Sequence, residues 1–272
     1  MFVLFDSTFD GLLSACAWCF RNRQRPIALI SALDAQPLLQ AEEVPCENNI
    51  SRLFKRHLTH VLGSSAGSAV MDNVYRAFLS EQDDIATQIF NYLTLALETR
   101  RDPSARLYEP SVAAVAGAVR RVSSQAHAYL GLLRFRCVGS DFFVADFEPD
   151  CHVLPLILPH FCDRLPDQDF AIRDLRRHLA ALHLSDGTTS IHILADCPTD
   201  QSDPGLVLPN PADLVVHDRF GPLWRGYLRQ LTIPERCNAG LQRANMPKKY
   251  WRYLTEQIKD ENEILKNENL RK

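Results

Sequence analysis

Short apolar runs interleaved with amphipathic helical stretches predict an α+β protein: a small mixed or antiparallel sheet with a helical cover and a helical C-terminal segment. Three observations carry this. Phe2–Phe5 and residues 27–30 are strand-length apolar runs on either side of a helical pattern. Residues 47–101 keep helical spacing almost throughout. Between 133 and 194, strand-period segments follow one another with turn residues between them.

Taken in order, Phe2–Phe5 reads as a buried strand. Leu12, Leu13, Cys16, Cys19 and Phe20 then recur at helical spacing, with Asp10 as a capping candidate and Arg21, Arg23 and Arg25 suited to the helix C-terminus. Pro26 stops that helix, and 27–30 is a second strand. The 47–101 stretch is a helical insert, broken by Ser64-Ser65-Ala66-Gly67. Residues 111–130 form the clearest amphipathic helix, with Val112, Val115, Val119, Val122, Ala126 and Tyr129 on one stripe and His127 at its edge. Leu133, Phe135 and Cys137 alternate with Arg134 and Arg136, and Gly139-Ser140 predicts a type II′ hairpin turn into a strand at 141–147. A helix over about 151–164 follows. Pro155 suits its first turn, whereas Pro159 predicts a kink or an early end. Residues 170–174 are a strand. Residues 175–184 fit either state and are read as a strand leading to the Asp186-Gly187 turn, with 191–194 the returning strand. Residues 220–231 are helical, 236–242 read as a turn-rich polar linker, and Pro247 opens a last helix that runs to about Ile258.

The chain has 272 residues, of which 46% are hydrophobic and 23% charged, and a formal charge of −3. Those values fit an ordinary globular protein and argue against a general polyanion binder, so nucleic-acid contact requires a local patch. Of eight cysteines only Cys16 and Cys19 are close in sequence, and both fall on the apolar stripe of their helix, which points to packing. The N-terminus lacks a basic region, and no apolar run reaches membrane-spanning length. A reduced, cytoplasmic protein with no membrane association is expected. The division expected is an α+β core at 1–195 with the helical insert, a Pro-rich connector at 196–218, a basic and aromatic helical segment at 219–257 packing on the core, and a charged tail at 258–272.

Several chemistries lack their motifs. Histidines never take HxxxH or HExxH spacing, and neither a P-loop nor a GxGxxG is present. No intrinsic metal or cofactor is expected. What remains is acid–base and phosphate chemistry. His160 titrates in a useful range, with Asp163 or Asp174 as orienting carboxylates, while Arg164, Arg177 and Arg236 suit bidentate phosphate contact. Residues 224–253 hold Arg225, Arg229, Arg236, Arg243, Lys248, Lys249 and Arg252 against Glu235 alone, interleaved with Trp224, Tyr227, Tyr250, Trp251 and Tyr253. Such a segment either tracks phosphates and stacks on bases, or anchors its aromatics in the core and solvates its charges.

Many short motifs occur in one order: FDSTFDGLL at the start, AHAYLGLLRF at 126–135, EPD at 148–150, HFCDR at 160–164, AIRD with Arg177, WRGYL at 224–228, IPERCNAGLQ at 233–242 and MPKKYWRYLTE at 246–256. In these the chain resembles an uncharacterised family linked to DNA metabolism and DNA repair. Its genes accompany one for a radical-SAM protein, and many members carry a C-terminal uracil-DNA-glycosylase-like domain with an iron–sulfur cluster. There are departures. Phe5 stands for the usual opening Tyr, Ser7 for the first Gly, Gln125 for a Glu before His127, and Ala239 for a Pro. The sequence stops near 272, before any glycosylase-like domain, so uracil excision is not expected of it.

Together with the residue chemistry above, which alone supplies Lys248, Lys249 and the acid–base roles, the resemblance implies site candidates. His160, Asp174 and His127 are the acid–base candidates. Arg134, Arg164, Arg177, Arg236, Asn238, Gln242, Lys248, Lys249 and Trp251 are the candidates for contact with nucleic acid or phosphate. It further implies DNA and a radical-SAM protein as partners, with a uracil-DNA-glycosylase-like protein as a further one. Iron–sulfur and SAM chemistry would then come only through a partner. The reading that follows is a DNA repair or modification accessory protein. The alternatives are a DNA-directed hydrolase or lyase using His160, and a non-enzymatic interaction module.

Overall fold

The computed structural model describes residues 1–33, 41–138, 141–194 and 220–254. The expected Gly139-Ser140 turn, the 196–218 connector and the 258–272 tail lie outside them. The chain forms two compact units: Met1–Gln125 with Asp150–His152, and Ala126–Pro149 with Val153–Lys272.

The first unit is built on three parallel strands, β1 (Phe2–Phe5), β2 (Ala28–Ser31) and β3 (Ala41–Glu43), in the order β2-β1-β3. Parallel neighbours need a crossover, and α1 (Phe9–Arg21) supplies it between β1 and β2. The start of α1 is tightly specified. Thr8 caps it by accepting from the Gly11 N–H at 2.9 Å, and Asp6 accepts from the Thr8 N–H and hydroxyl at 3.1 and 2.7 Å. Ser7 lies at φ 68°, a left-handed position that glycine adopts without steric cost. A Cβ at Gly11 would lie 1.7 Å from Asp6 Oδ1, so any side chain there would displace the carboxylate that holds Thr8.

Helices α2 (Asn48–Leu62), α3 (Ser64–Phe78) and α4 (Ile85–Thr99) occupy the stretch read as helical. At Gly67 a Cβ would sit 2.6 Å from the Thr59 Cα, so only glycine lets α3 approach α2 this closely. The core joins Val3, Phe5, Leu12 and Leu58 to Val74, Ile89 and Leu93. Cys16 and Cys19 are buried within it, and burial pushes both thiols up, Cys19 to about 11. They pack as small apolar residues. Strand β3 had no sequence signal, because Ala41-Glu42-Glu43 carries no apolar pattern.

Helix α5 (Pro110–Leu132) begins in the first unit and ends in the second. The second unit carries a five-stranded sheet, β4 (Phe135–Val138), β5 (Phe142–Phe147), β6 (Asp169–Asp174), β7 (Leu179–His183) and β8 (Thr189–Ile193), paired in chain order. All pairs are antiparallel except β5–β6, whose crossover is α6 (Leu154–Arg164). The ambiguous 175–184 stretch is a strand over Leu179–His183. It turns at Asp186, whose carboxylate accepts from the Thr188 N–H at 2.7 Å, and at Gly187 with φ 85°.

Helix α6 runs through Pro159 to Arg164, so of the kink or early end expected there the early end does not occur. Its buried stripe of Leu154, Ile157, Leu158 and Phe161 lies on both sides of the proline and outweighs the lost backbone bond. Residues 236–242 are not a plain linker. Asn238 accepts from the Leu241 N–H at 3.0 Å and caps α8 (Ala239–Asn245). The final helix after Pro247 is a 3₁₀ helix over Lys248–Tyr253 among the described residues.

Candidate nucleic-acid interface

Helix α7 (Phe220–Leu231) should bury an apolar stripe, and it does not. Trp224 is 39% exposed and Tyr227 55%, and Leu223 and Leu231 are exposed with them. Trp224 stacks on Tyr227 with ring centroids 5.7 Å apart. The helix lies along β4 within its own unit, yet its aromatic face stays open to solvent. Adjacent exposed aromatic rings make this face a candidate binding surface.

The cations follow directly. Arg229, Arg236, Arg243, Lys248 and Lys249 are all exposed. Arg236 sits in a 3₁₀ turn at Pro234–Arg236, Asn238 caps α8, and Gln242 is exposed on that helix. The segment is tied down at its end. Tyr250 and Leu254 are buried, and the Tyr250 ring meets Tyr129 edge-on at 5.1 Å. Trp251 is half-buried and donates from Nε1 to the Met246 carbonyl at 2.8 Å. Arg252 donates from Nη1 to both carboxylate oxygens of Glu148, at 3.0 and 3.1 Å. Burial, with the Glu148 carboxylate beside it, pushes the Tyr253 phenol up. The 3₁₀ helix is thus an anchor, while α7 and α8 each keep exposed cations and α7 the exposed Trp224–Tyr227 pair.

The other candidates divide between two places. Arg134 and Arg164 line one cleft with Phe135, Phe143 and Phe161. Arg134 donates from Nη1 to the Gly131 and Leu133 carbonyls, at 2.8 and 3.2 Å, at the end of α5. Asp174 and Arg177 lock the β6–β7 corner. The Asp174 carboxylate is fully buried and accepts from the Arg176 and Arg177 N–H groups at 3.1 and 3.2 Å. Its second oxygen accepts from Arg177 Nη1 at 3.0 Å, which also donates to the Pro149 carbonyl at 3.1 Å. His160 is exposed on α6, its ring edge-on to Phe161 at 5.2 Å, and no hydrogen bond joins it to Asp163 or Asp174. His127 is exposed on α5. The structure therefore brings Arg134 and Arg164 to one cleft, ties Arg177 to Asp174, and among the described residues gives neither histidine a hydrogen-bonded carboxylate.

One cluster escaped sequence reasoning. Asp146 on β5 is buried between two arginines. Arg173 on β6, its register partner, donates from Nε and Nη2 at 2.6 and 3.0 Å, and Arg136 on β4 donates from Nη2 at 2.5 Å. The parallel β5–β6 register places these groups together. The only available signal was the recurrence of charge inside otherwise apolar strands, at positions 136, 146 and 173.

Among the described residues no group of three His, Cys, Asp or Glu side chains is placed to hold a metal ion, and no helix is long and apolar enough to cross a membrane. No curated protein and no solved structure matches the chain. The family model of the domain of unknown function DUF4130 does match, over residues 83–256. That span takes in the mixed sheet, the Arg134–Arg164 cleft and the cationic face, and the chain is a member of the DUF4130 family.

Proposed function

We propose that this protein is a DNA repair or DNA modification accessory protein, which binds DNA or a damaged nucleotide through the α7–α8 face and acts with a radical-SAM partner. The observation that supports this most is the exposed Trp224–Tyr227 stack among cations. A chain with a net charge of −3 concentrates seven basic residues and one acidic residue in 220–254, and leaves Trp224 and Tyr227 open. Cations of this kind neutralise phosphates, and open aromatic faces stack on bases of any sequence. Iron–sulfur and SAM chemistry would be supplied by the partner, and this chain would hold the strand.

The test is retention on the immobilised full chain of single-stranded DNA and of a radical-SAM protein from the same cell, each alone and together. DNA should be retained alone, and the partner should be retained more strongly when DNA is present. Absence of both in every combination contradicts the reading. DNA retention without the partner under any condition contradicts only the partnership.

A further inference from the structure

Among the described residues three thiols reach solvent, Cys46, Cys162 and Cys237, and their surroundings differ. Cys46 lies beside the Thr8 hydroxyl and the Asn48 amide oxygen, at 3.8 and 3.9 Å, and burial, with Asp6 and Asp10 near it, pushes its thiol up. Cys237 donates to the Ile233 carbonyl at 3.6 Å. Cys162, on the last turn of α6, is the one linked to an imidazole. Its Sγ is 3.9 Å from Thr189 Oγ1 on β8, and that oxygen is 3.2 Å from His183 Nδ1 on β7. The link follows from register, because the β7–β8 hairpin sets His183 opposite Thr189. All three groups lie within the second unit.

The base is fixed. His183 is 4% exposed, its ring lies 4.9 Å from that of Phe170, and its Nε2 is 3.4 Å from the Pro166 carbonyl oxygen. These contacts set the direction of each proton in the chain. A carbonyl only accepts, so Nε2 carries the proton of the neutral ring and Nδ1 is left to accept. The Thr189 hydroxyl therefore points its proton at Nδ1, and its lone pairs are left to accept from the Cys162 thiol. A nucleophile joined to a base that a third group orients is the arrangement that activates a weak nucleophile. Here the base is buried, while Cys162 is open in part to solvent.

We propose that Cys162 is a modification site: a nucleophilic thiol that exchanges with a low-molecular-weight disulfide and ends as a mixed disulfide. Its proton passes to Thr189 Oγ1 as the Thr189 proton passes to His183 Nδ1. The Cys162 sulfur attacks one sulfur of the reagent, whose own S–S bond breaks, and the departing thiolate takes up the proton held on His183, returned through Thr189. One thiol is consumed and one released, with no further oxidant. No second cysteine is in contact with Cys162 among the described residues, so nothing there resolves the mixed disulfide into an internal one. The proposal stands apart from the nucleic-acid reading of α7 and α8.

The probe is oxidised glutathione, added to the full chain at neutral pH, with the modification of each cysteine followed over time by peptide mass spectrometry. Cys162 should react at least about tenfold faster than Cys46 or Cys237. Thr189 is exposed on the edge strand, and Thr189→Val keeps its shape while removing the hydroxyl, so this variant should fold. It should slow Cys162 by about tenfold or more and leave Cys46 unchanged. Thr189→Ser restores the hydroxyl and should restore the rate. Cys162 reacting no faster than Cys237 overturns the proposal, and this comparison needs no variant. An unchanged rate in Thr189→Val, or an equal loss in Thr189→Val and Thr189→Ser, overturns it too, since the hydroxyl would then carry no proton.

Discussion

Replacing Asp146 with alanine should remove about 3–5 kcal/mol from the stability of the second unit. The carboxylate is buried and accepts three bonds from Arg136 and Arg173. Arg173 is itself buried, so the substitution takes the Asp146 carboxylate away from a guanidinium that is out of water. Arg136 is different. Its side chain is 27% exposed and can turn to solvent, so Arg136→Met should cost much less. Replacing Asp146 and Arg173 together with apolar residues of similar volume should recover most of the loss, because the desolvation penalty disappears with the charges. Amide hydrogen exchange along β5 and β6 reads this out within the unit. Protection in Asp146→Ala equal to that of the unaltered protein would show that the cluster does not hold the sheet.

Replacing Trp224 and Tyr227 together with alanine should weaken single-stranded DNA binding by about 2–6 kcal/mol, at about 1–3 kcal/mol for each base stacked on a ring. Both rings are substantially exposed, so stability should change by about 0.5 kcal/mol or less, the usual range for surface positions. These two predictions separate the roles of the second unit. A buried charge cluster holds the sheet, and an exposed aromatic face meets the ligand. Oligonucleotide titrations beside thermal unfolding check the second. A large loss of stability with unchanged DNA affinity would return Trp224 and Tyr227 to the core.

The sequence was most legible where one pattern decided the outcome. The apolar stripe of α5 and the Asp186-Gly187 turn were readable because burial and backbone chemistry act locally there. The α+β class follows from the same signals. Strand β3 was not readable, since its short polar stretch is recruited by pairing with β1. Nor was the parallel β5–β6 pairing, which depends on α6 returning the chain to the same side. That pairing is also why the Asp146 cluster was missed, for its three members lie on three strands. In α6 the local rule for proline lost to a buried stripe that only the packed unit reveals. In α8 the turn signal of Asn238 and Gly240 was read as a linker, although Asn238 is the residue that starts the helix.

The site was partly legible. The density of cations and aromatics in 224–253 was visible, but whether Trp224 and Tyr227 point into a core or away from it is a tertiary property. The structure leaves both exposed and buries Tyr250 instead. His160 and Asp174 attracted notice as an acid–base pair, and the fold gives them separate settings: one exposed on α6, the other buried in a corner with Arg177.

The most direct test of the account is the salt dependence of single-stranded oligonucleotide binding, measured by fluorescence anisotropy for the unaltered protein and for Arg236→Ala/Lys248→Ala/Lys249→Ala. Each phosphate contact contributes about 0.7 to the slope of log affinity against log salt on a single strand, so losing three should lower the slope by about 2. A shallower slope and weaker binding in the variant are the predicted result. No binding at low salt, or an identical slope in both proteins, would contradict a phosphate-contacting surface at 220–254.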